Sequence, residues 1–166
     1  MKNLRLTLTT LLLSAACLLG GFLSPAHAAA TIHVPDSFLY DAVTGSIDLD
    51  TDTIKCGLTP SAYTYDRVNH SRRSSVTEVT GTGYTAGGQT VTMTVTKDTT
   101  NHKLVISTPQ IQWASSTITA RGIYCYKSTG VAANDPLILY GQYSVDITST
   151  AGTFTAPTVT IEFTHF

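Results

Sequence analysis

The chain has 166 residues and a nearly balanced charge, with 10 Lys and Arg against 11 Asp and Glu and a formal net charge of −1. Because a nucleic-acid-binding protein needs a surplus of Lys and Arg to neutralise phosphates, no nucleic acid is expected as a partner. The length is sufficient for one domain with a substantial core, and 42% of the residues are hydrophobic.

The N-terminal segment, residues 1–28, has the pattern of a bacterial secretory signal peptide. Two basic residues precede an almost entirely apolar run, residues 6–23, and an Ala-x-Ala sequence ends at Ala28. Signal peptidase reads small residues at these two positions, so we predict cleavage between Ala28 and Ala29. The mature chain, residues 29–166, would then be exported to the periplasm or the medium without stable membrane insertion.

Two other interpretations of this segment stay open. An apolar run of about 18 residues is just long enough to span a bilayer, so an uncleaved segment would be a membrane anchor. The residues before Cys17 loosely resemble a lipoprotein box, in which that cysteine would become the lipidated N-terminus. The Ala-x-Ala ending argues against the anchor, and the apolar run continues past Cys17. We therefore favour cleavage after Ala28.

The composition of the mature chain is typical of secreted and virion β-proteins. Without Lys2 and Arg5, eight Lys and Arg remain against 11 Asp and Glu, which gives a net charge of −3. Threonine accounts for 27 of the 138 mature residues. Because threonine suits a pleated, half-exposed surface, a solvated sheet face built from it needs few long charged side chains.

Alternation of apolar and polar residues predicts an all-β protein. Val91, Met93 and Val95 alternate with threonines, a period-two pattern that a helix cannot use and that places these three side chains on the buried face. Residues 98–102 predict a hairpin turn. The predicted strands are residues 53–58, 76–79, 90–97, 103–107, 111–113, 116–126, 137–148 and 158–165. Many short strands with turn signals between them indicate a single antiparallel β-sandwich of jelly-roll or immunoglobulin-like type.

One short helix and one long loop complete the predicted elements. Residues 37–43 have apolar side chains compatible with one or two helical turns, with Asp36 suited to cap the helix and Gly45 to end it. Residues 60–75 are polar and include three arginines, so we expect a long exposed loop there.

Cys56 and Cys125 are the two cysteines of the mature chain. In an exported protein such a pair predicts one disulfide bond. The enclosed loop of about 70 residues corresponds to a stabilisation of about 4 kcal/mol in the chain-entropy model. Each cysteine lies in an apolar run, so two separate buried thiols in neighbouring strands are the alternative.

A glycine-rich segment precedes the threonine-rich strand. Gly81, Gly83, Gly87 and Gly88 are able to adopt positive φ, and we expect a flexible loop. With Tyr84, the segment formally matches a dinucleotide-binding fingerprint. That motif needs a following helix N-terminus to hold the pyrophosphate, whereas a strand follows here, so no cofactor is expected.

Alternate carboxylates at Asp48, Asp50 and Asp52 resemble the start of a calcium loop. The sixth position of the loop is Thr53 instead of Gly, and the twelfth is Thr59 instead of Glu. Asp also bonds to its own backbone in turns, so we favour an Asp-rich turn over a calcium site.

The remaining polar residues predict neither a catalytic nor a metal site. The mature histidines lack metal-ligand spacing; they are His33, His70, His102 and His165. The two mature glutamates, Glu78 and Glu162, are expected to face solvent instead of pairing as in a glycosidase. Trp113, Tyr124 and Tyr126 are expected in the core instead of on a binding platform. We therefore expect a protein without enzymatic activity.

Residues 78–98 resemble a motif in a family of small, mostly unassigned tailed-bacteriophage and prophage structural proteins of β-rich fold. Other landmarks of the family agree in order along the mature chain. They are residues 38–42, 47–55, 113 with 117–122, 126–130, 136–138 and 152–155. The resemblance implies a non-enzymatic virion component of the head or tail, with other copies or virion proteins as partners.

Two features depart from that family, namely the signal peptide and the pair Cys56 and Cys125. Tailed-phage particles assemble in the cytoplasm, whereas both features indicate export into an oxidising compartment. A phage-type module that a bacterium has domesticated and exported would account for both. The alternative function is a secreted or periplasmic binding or adhesive module that uses exposed loops such as residues 60–75.

Overall fold

Two antiparallel sheets form the protein in a computed structural model that describes residues 30–164. The elements are β1 (Ala30–His33), α1 (Asp36–Val43), β2 (Ile54–Thr59), β3 (Gln89–Val91), β4 (Thr94–Asp98), β5 (Lys103–Ser107), β6 (Ile111–Lys127), β7 (Leu137–Ala156) and β8 (Thr160–Thr164). The larger sheet has the strand order β1-β7-β6-β2-β3, and the smaller has the order β4-β5-β8. The predicted all-β sandwich with one short helix near the N-terminus is confirmed.

A long ribbon of β6 and β7, with 17 and 20 residues, forms the centre of the larger sheet. The predicted strands 111–113 and 116–126 are therefore one strand, interrupted by a bulge. Ser115 and Ala151 have φ of 50° and 47° on the two strands of this irregular region. The buried hydroxyls of Ser116 and Ser149 lie 2.8 Å apart there and bond to backbone groups of both strands, which stabilises the bend.

The threonine-rich segment is divided between the two sheets, so its prediction as one continuous strand was wrong. Val91 on β3 lies opposite Ile54 of the larger sheet, whereas Val95 on β4 lies opposite Ile106 of the smaller sheet. The chain crosses between the sheets next to Met93, which is buried. Val95 was expected in the core, but it is 48% exposed and lines a groove beside α1, whereas Ile106 opposite it is buried.

The core lies between the two sheets. Its fully buried members include Phe38 of α1, Ile123 and Cys125 of β6, and Phe154 of β7. On β8, Ile161 is buried between two exposed neighbours, the alternation of a half-buried strand. The helix contacts this core through Phe38 and Ala42, whereas Leu39 and Val43 are exposed.

The local structure matches the sequence predictions at the hairpin turn but differs at the helix start and at residues 76–79. The hairpin turn after β4 is confirmed, since the Asp98 carboxylate accepts two backbone N–H groups of the turn. The prediction that Asp36 caps the helix was wrong, since Asp36 is its first residue and no side chain caps it. Gly45 follows the helix end with φ of +76°. Residues 76–79 are not a strand; only Val79 bonds to the edge of β2, where its N–H donates to the carbonyl of Leu58.

Candidate functional site

The predicted disulfide joins Cys56 and Cys125, whose sulfur atoms lie 1.97 Å apart. The two residues stand directly opposite each other on β2 and β6, and both are fully buried. Strand pairing thus places in contact two residues that are 69 positions apart in sequence. The prediction of one bridge is confirmed, and the alternative of separate thiols is excluded.

The predicted cleavage site between Ala28 and Ala29 and the Cys17 lipid site lie outside the described residues. Among residues 30–164, no helix has both the length and the apolar character needed to cross a bilayer.

The glycine loop, residues 81–88, packs along the edge of the larger sheet and is not a freely flexible connection. Gly83, Gly87 and Gly88 have φ of +80°, +90° and +69°, as the sequence predicted. A Cβ on Gly88 would lie 1.9 Å from the carbonyl oxygen of Cys56, and a Cβ on Gly81 would lie 2.3 Å from that of Thr117. Close backbone approach therefore requires glycine at both positions, and the positive φ of Gly88 is a second reason at that position.

Glu78 organises this loop, and the expectation that it faces solvent was wrong. Its Oε2 atom accepts a 2.7 Å hydrogen bond from the Tyr84 hydroxyl and a 2.6 Å hydrogen bond from the N–H of Gly87. The Tyr84 oxygen in turn accepts a 3.1 Å hydrogen bond from the N–H of Leu58. The loop thereby supplies a hydrogen-bond acceptor to the free edge of β2 and covers it, which protects that edge from pairing with another chain.

Arg73 connects this carboxylate to a second, fully buried one. Its guanidinium lies 3.5 Å from Glu78 and 2.8 Å from Asp135, and it also stacks over the ring of Tyr126. Burial alone would raise the pKa of Asp135, but the backbone N–H of Thr129 and the Arg73 guanidinium outweigh it and hold that pKa below its usual value. Glu78 and Asp135 are thus both bound to fixed donors. Through Arg73 they link the glycine loop to the β6–β7 connection.

A layer of tyrosines covers the other face of the larger sheet, beneath residues 60–75. Tyr65 stacks on Tyr140 with ring centroids 4.9 Å apart, and Tyr63 packs edge-on against Tyr140 at 5.5 Å. Tyr124 and Tyr126 stack at 5.7 Å in the same layer. The loop was expected to be exposed, but it covers this second apolar cluster, so β6 and β7 are buried on both faces near their connection.

Burial raises the pKa of the tyrosine hydroxyls in this layer. The pKa of Tyr65 rises to about 12, chiefly because the ring is removed from water. The pKa values of Tyr63 and Tyr124 in this layer also rise, again with burial as the main cause. The same holds for Tyr84 and Tyr143, which pack against the main core and not in this layer. Trp113, Tyr124 and Tyr126 are buried, which confirms their prediction as core residues.

The acidic turn at residues 48–52 binds its own backbone. Asp48 accepts a 2.9 Å hydrogen bond from the N–H of Asp50, and Asp52 accepts a 2.7 Å hydrogen bond from the N–H of Asp48. Asp52 also forms a 2.9 Å ion pair with Lys127. The hydrogen bond from Asp50 holds the pKa of Asp48 below its usual value. These contacts are those of the Asp-rich turn that the sequence favoured.

The three described histidines lie in two places, the tyrosine layer and a hairpin turn. His33 and His70 join the tyrosine layer, where His33 lies 5.6 Å from the ring of Tyr65 and Nδ1 of His70 contacts the Tyr63 hydroxyl at 2.9 Å. His102 lies in the hairpin turn after β4, and His165 is outside the described residues. Within residues 30–164, no group of three or more His, Cys, Asp or Glu side chains could hold a metal ion.

An apolar groove that the sequence did not predict lies between α1 and the core-facing side of the smaller sheet. We call it the α1 groove; its volume is ≈ 730 Å³. Exposed side chains along it are Leu39 and Val43 of α1, Val95 of β4 and Leu104 of β5. Leu39 and Val43 point away from the core while Phe38 points into it. The sequence signal for the groove was therefore an excess of apolar residues for an eight-residue helix with one buried side.

Charged residues also line this part of the surface. Asp48 and Asp50, in the turn that follows α1, line the α1 groove. A second cavity of ≈ 630 Å³ shares Leu104 and Phe163 with the groove, and its lining includes Lys97, Asp98 and Lys103. The second cavity therefore carries charges of both signs.

Comparison with known proteins identifies no relative. No protein-family model, no curated protein and no solved structure matches this chain.

Proposed function

We propose that this protein is an exported, non-enzymatic β-sandwich that functions by contacting other proteins. It would be a phage-type structural module that a bacterium has domesticated. The observation that carries the proposal is the buried bond between Cys56 and Cys125, because a structural disulfide forms and persists in an oxidising compartment. The signal-peptide pattern before Ala29 supports the same conclusion independently.

The residues that resemble the phage family support a structural role. Tyr84 and Gly87 both donate hydrogen bonds to Glu78, and Tyr84 accepts one from the β2 edge, so these motif residues hold the fold together. Both carboxylates bound to Arg73 already have fixed partners. A catalytic acid or base instead needs a pKa near the working pH and access to a substrate.

Export is tested by expressing the full chain in a bacterium and sequencing the N-terminus of the protein in each cell fraction. We expect Ala29 at the N-terminus in the periplasm or medium. An Ala28→Arg variant, which removes the small residue that the peptidase requires, should keep its leader. Protein that stays in the cytoplasm with the leader intact would contradict export.

The structural role is tested in the native host by mass spectrometry of purified phage particles and of the culture medium. Detection in the medium but not in particles supports a domesticated, exported module. Detection as a stoichiometric component of particles would show instead that the protein is a virion component.

A loop-based binding module is the second candidate function. Val68 is 72% exposed at the tip of a turn that Asp66 stabilises by accepting the N–H groups of Val68 and Asn69. An apolar side chain presented by a rigid turn is a common recognition element. If this loop binds the surface of the producing cell, a Val68→Asp variant of the exported protein will lose cell association, whereas a Val131→Asp variant on another exposed loop will retain it.

A further inference from the structure

Residues 66–70 form a closed turn, which we call the Asp66–His70 turn and which presents the exposed side chain of Val68. The carboxylate of Asp66 accepts the N–H groups of Val68 and Asn69, each at 3.0 Å. The N–H of His70 donates a 2.8 Å hydrogen bond to the carbonyl oxygen of Asp66. In return, the N–H of Asp66 donates a 3.1 Å hydrogen bond to Nδ1 of His70. The two end residues therefore close the turn by bonding to each other.

The hydrogen bonds of the closed turn specify the protonation state of His70. A backbone N–H can only donate, so Nδ1 of His70 has to be an unprotonated acceptor for the N–H of Asp66. The hydroxyl of Tyr63 lies 2.9 Å from the same nitrogen and has to donate to it for the same reason. The closed turn thus assigns a neutral imidazole with its proton on Nε2.

Protonation of His70 would remove this acceptor. Histidine is the side chain whose charge ordinarily changes between about pH 5 and pH 8. A proton on Nδ1 would face the N–H of Asp66, so that two donors would oppose each other where one hydrogen bond now closes the turn. The hydroxyl of Tyr63 can rotate and accept instead, but a backbone N–H has no such alternative.

The aromatic groups around His70 offer no compensating charge. Tyr63 stacks on its ring at 5.6 Å, and Tyr65 packs edge-on at 6.1 Å. From the neighbouring strands, Tyr140 of β7 packs against both tyrosines, and His33 of β1 lies 5.6 Å from the ring of Tyr65. Burial raises the pKa of Tyr63 and of Tyr65, so both phenols stay neutral where a histidine titrates.

The Asp66 carboxylate is a charged group that responds to His70. Its bonds from Asn69 are the main reason that the pKa of Asp66 lies below its usual value, and the charge of His70 contributes in the same direction. An imidazolium would therefore compete for this carboxylate with the N–H groups of Val68 and Asn69. Arg67 pairs with Asp36 of α1, which leaves the turn joined to the helix by opposite charges.

We propose that the Asp66–His70 turn is a pH-sensitive switch, which is closed while His70 is neutral and opens when His70 is protonated. The closed turn holds Val68, which is 72% exposed, in one fixed place, and the open turn does not. An acidic surrounding would therefore weaken any contact made through this loop. The inference goes beyond the proposed function, because it concerns the turn itself and holds whatever the exported protein contacts.

The test is an NMR titration of the oxidised mature chain, residues 29–166, from pH 8 to pH 5. The ¹⁵N shifts of each imidazole report its tautomer and charge, so His70 is followed separately from His33. We expect Nδ1 of His70 to be unprotonated at pH 8. The amide resonance of Asp66 should move with the same midpoint as the imidazole of His70, because protonation breaks the bond between them.

Proteolysis measures how far the turn opens. Thermolysin cleaves before apolar residues such as Val68, and the cleavage rate follows the open fraction of the turn. His70→Gln keeps a side-chain acceptor that does not titrate, so the ratio of wild-type to variant rates cancels the pH dependence of the protease. We expect this ratio to rise at least about fivefold between pH 8 and pH 5.5. His102→Gln, at an exposed histidine in the hairpin turn after β4, should retain the wild-type rise.

Three results would overturn the inference. They are a proton on Nδ1 of His70 at pH 8, an Asp66 amide that does not follow the titration of His70, and a ratio of cleavage rates that is independent of pH. The NMR titration needs no variant, so it decides the question even if His70→Gln fails to fold. None of these results bears on export or on the disulfide, so the proposed function would stand without the switch.

Discussion

The hydroxyl of Tyr84 donates a 2.7 Å hydrogen bond to Oε2 of Glu78, six residues earlier in the chain. The same carboxylate oxygen accepts the N–H of Gly87, so a single side chain closes the glycine loop on itself. Tyr84 also accepts the N–H of Leu58 and thereby attaches the loop to the edge of the larger sheet. The Glu78 carboxylate therefore holds the loop in its conformation and has a structural role.

Replacing Glu78 with Ala should lower the free energy of unfolding by about 2–3 kcal/mol, because buried donors lose a charged acceptor. The matched control is Glu162→Ala, which removes a carboxylate that is 51% exposed, whereas that of Glu78 is 16% exposed. Its effect should be less than about 1 kcal/mol. Urea unfolding monitored by circular dichroism measures the free energy of unfolding of both variants. Equal losses of stability would refute the structural role of Glu78.

Replacing Gly88 with Ala should cost about 3 kcal/mol or more, because the new Cβ meets the Cys56 carbonyl at 1.9 Å in addition to the strain of positive φ. Gly45 is a matched control, since its φ of +76° is similar but a Cβ there meets nothing within 4 Å. Gly45→Ala should cost only about 1 kcal/mol. Thermal unfolding compares the stability of the two variants. Similar losses of stability would show that the glycine loop can move away from β2 without cost.

The sequence predicted the fold class because alternation with threonine reports burial on one face of a strand. It did not reveal that the threonine-rich segment changes sheets, since Val91 and Val95 look alike in the pattern while their partners lie in different sheets. Periodicity specifies which side of a strand is buried, but not what buries it. The pairing partner is a tertiary property.

Glu78 was assigned to solvent for a similar reason. Its neighbours in sequence are threonine and valine, whereas the groups that bind it, Tyr84, Gly87 and Arg73, approach only after the loop folds back. The disulfide was predictable because cysteine chemistry leaves few choices once export is inferred. The α1 groove was not, since its walls come from a helix and a hairpin more than 50 residues apart in sequence.

Removing the disulfide with the double variant Cys56→Ala/Cys125→Ala should lower the free energy of unfolding by about 4 kcal/mol. The physical reason is that the unfolded chain gains the freedom of a loop that spans 69 residues. Chemical denaturation of the oxidised protein and of the variant measures the difference. Reduced wild-type protein is the control and should lose a similar amount; a loss below about 1 kcal/mol would contradict a stabilising role.

The tyrosine layer predicts that the protein loses stability at alkaline pH. Burial raises the pKa of Tyr65 to about 12 in the folded state, against about 10 in the unfolded chain. The folded state therefore retains more protons between these values. The contribution to stability is complete below pH 10 and is lost as the pH rises toward 12.

Absorbance at the tyrosinate band and circular dichroism should therefore change together in an alkaline titration, because ionisation of the layer requires unfolding. Protein denatured in urea is the control, in which the tyrosines ionise near their ordinary pKa of about 10. Full ionisation at that pH with the native circular dichroism signal retained would show that the layer is open to water.

The intact mass of the protein recovered from the periplasm or medium tests the central claim most directly, because it reports cleavage and oxidation together. The account predicts the mass of residues 29–166 less two hydrogens, with a gain of those two hydrogens on reduction of Cys56 and Cys125. A mass that includes residues 1–28, or one that reduction leaves unchanged, would contradict an exported module with a structural disulfide.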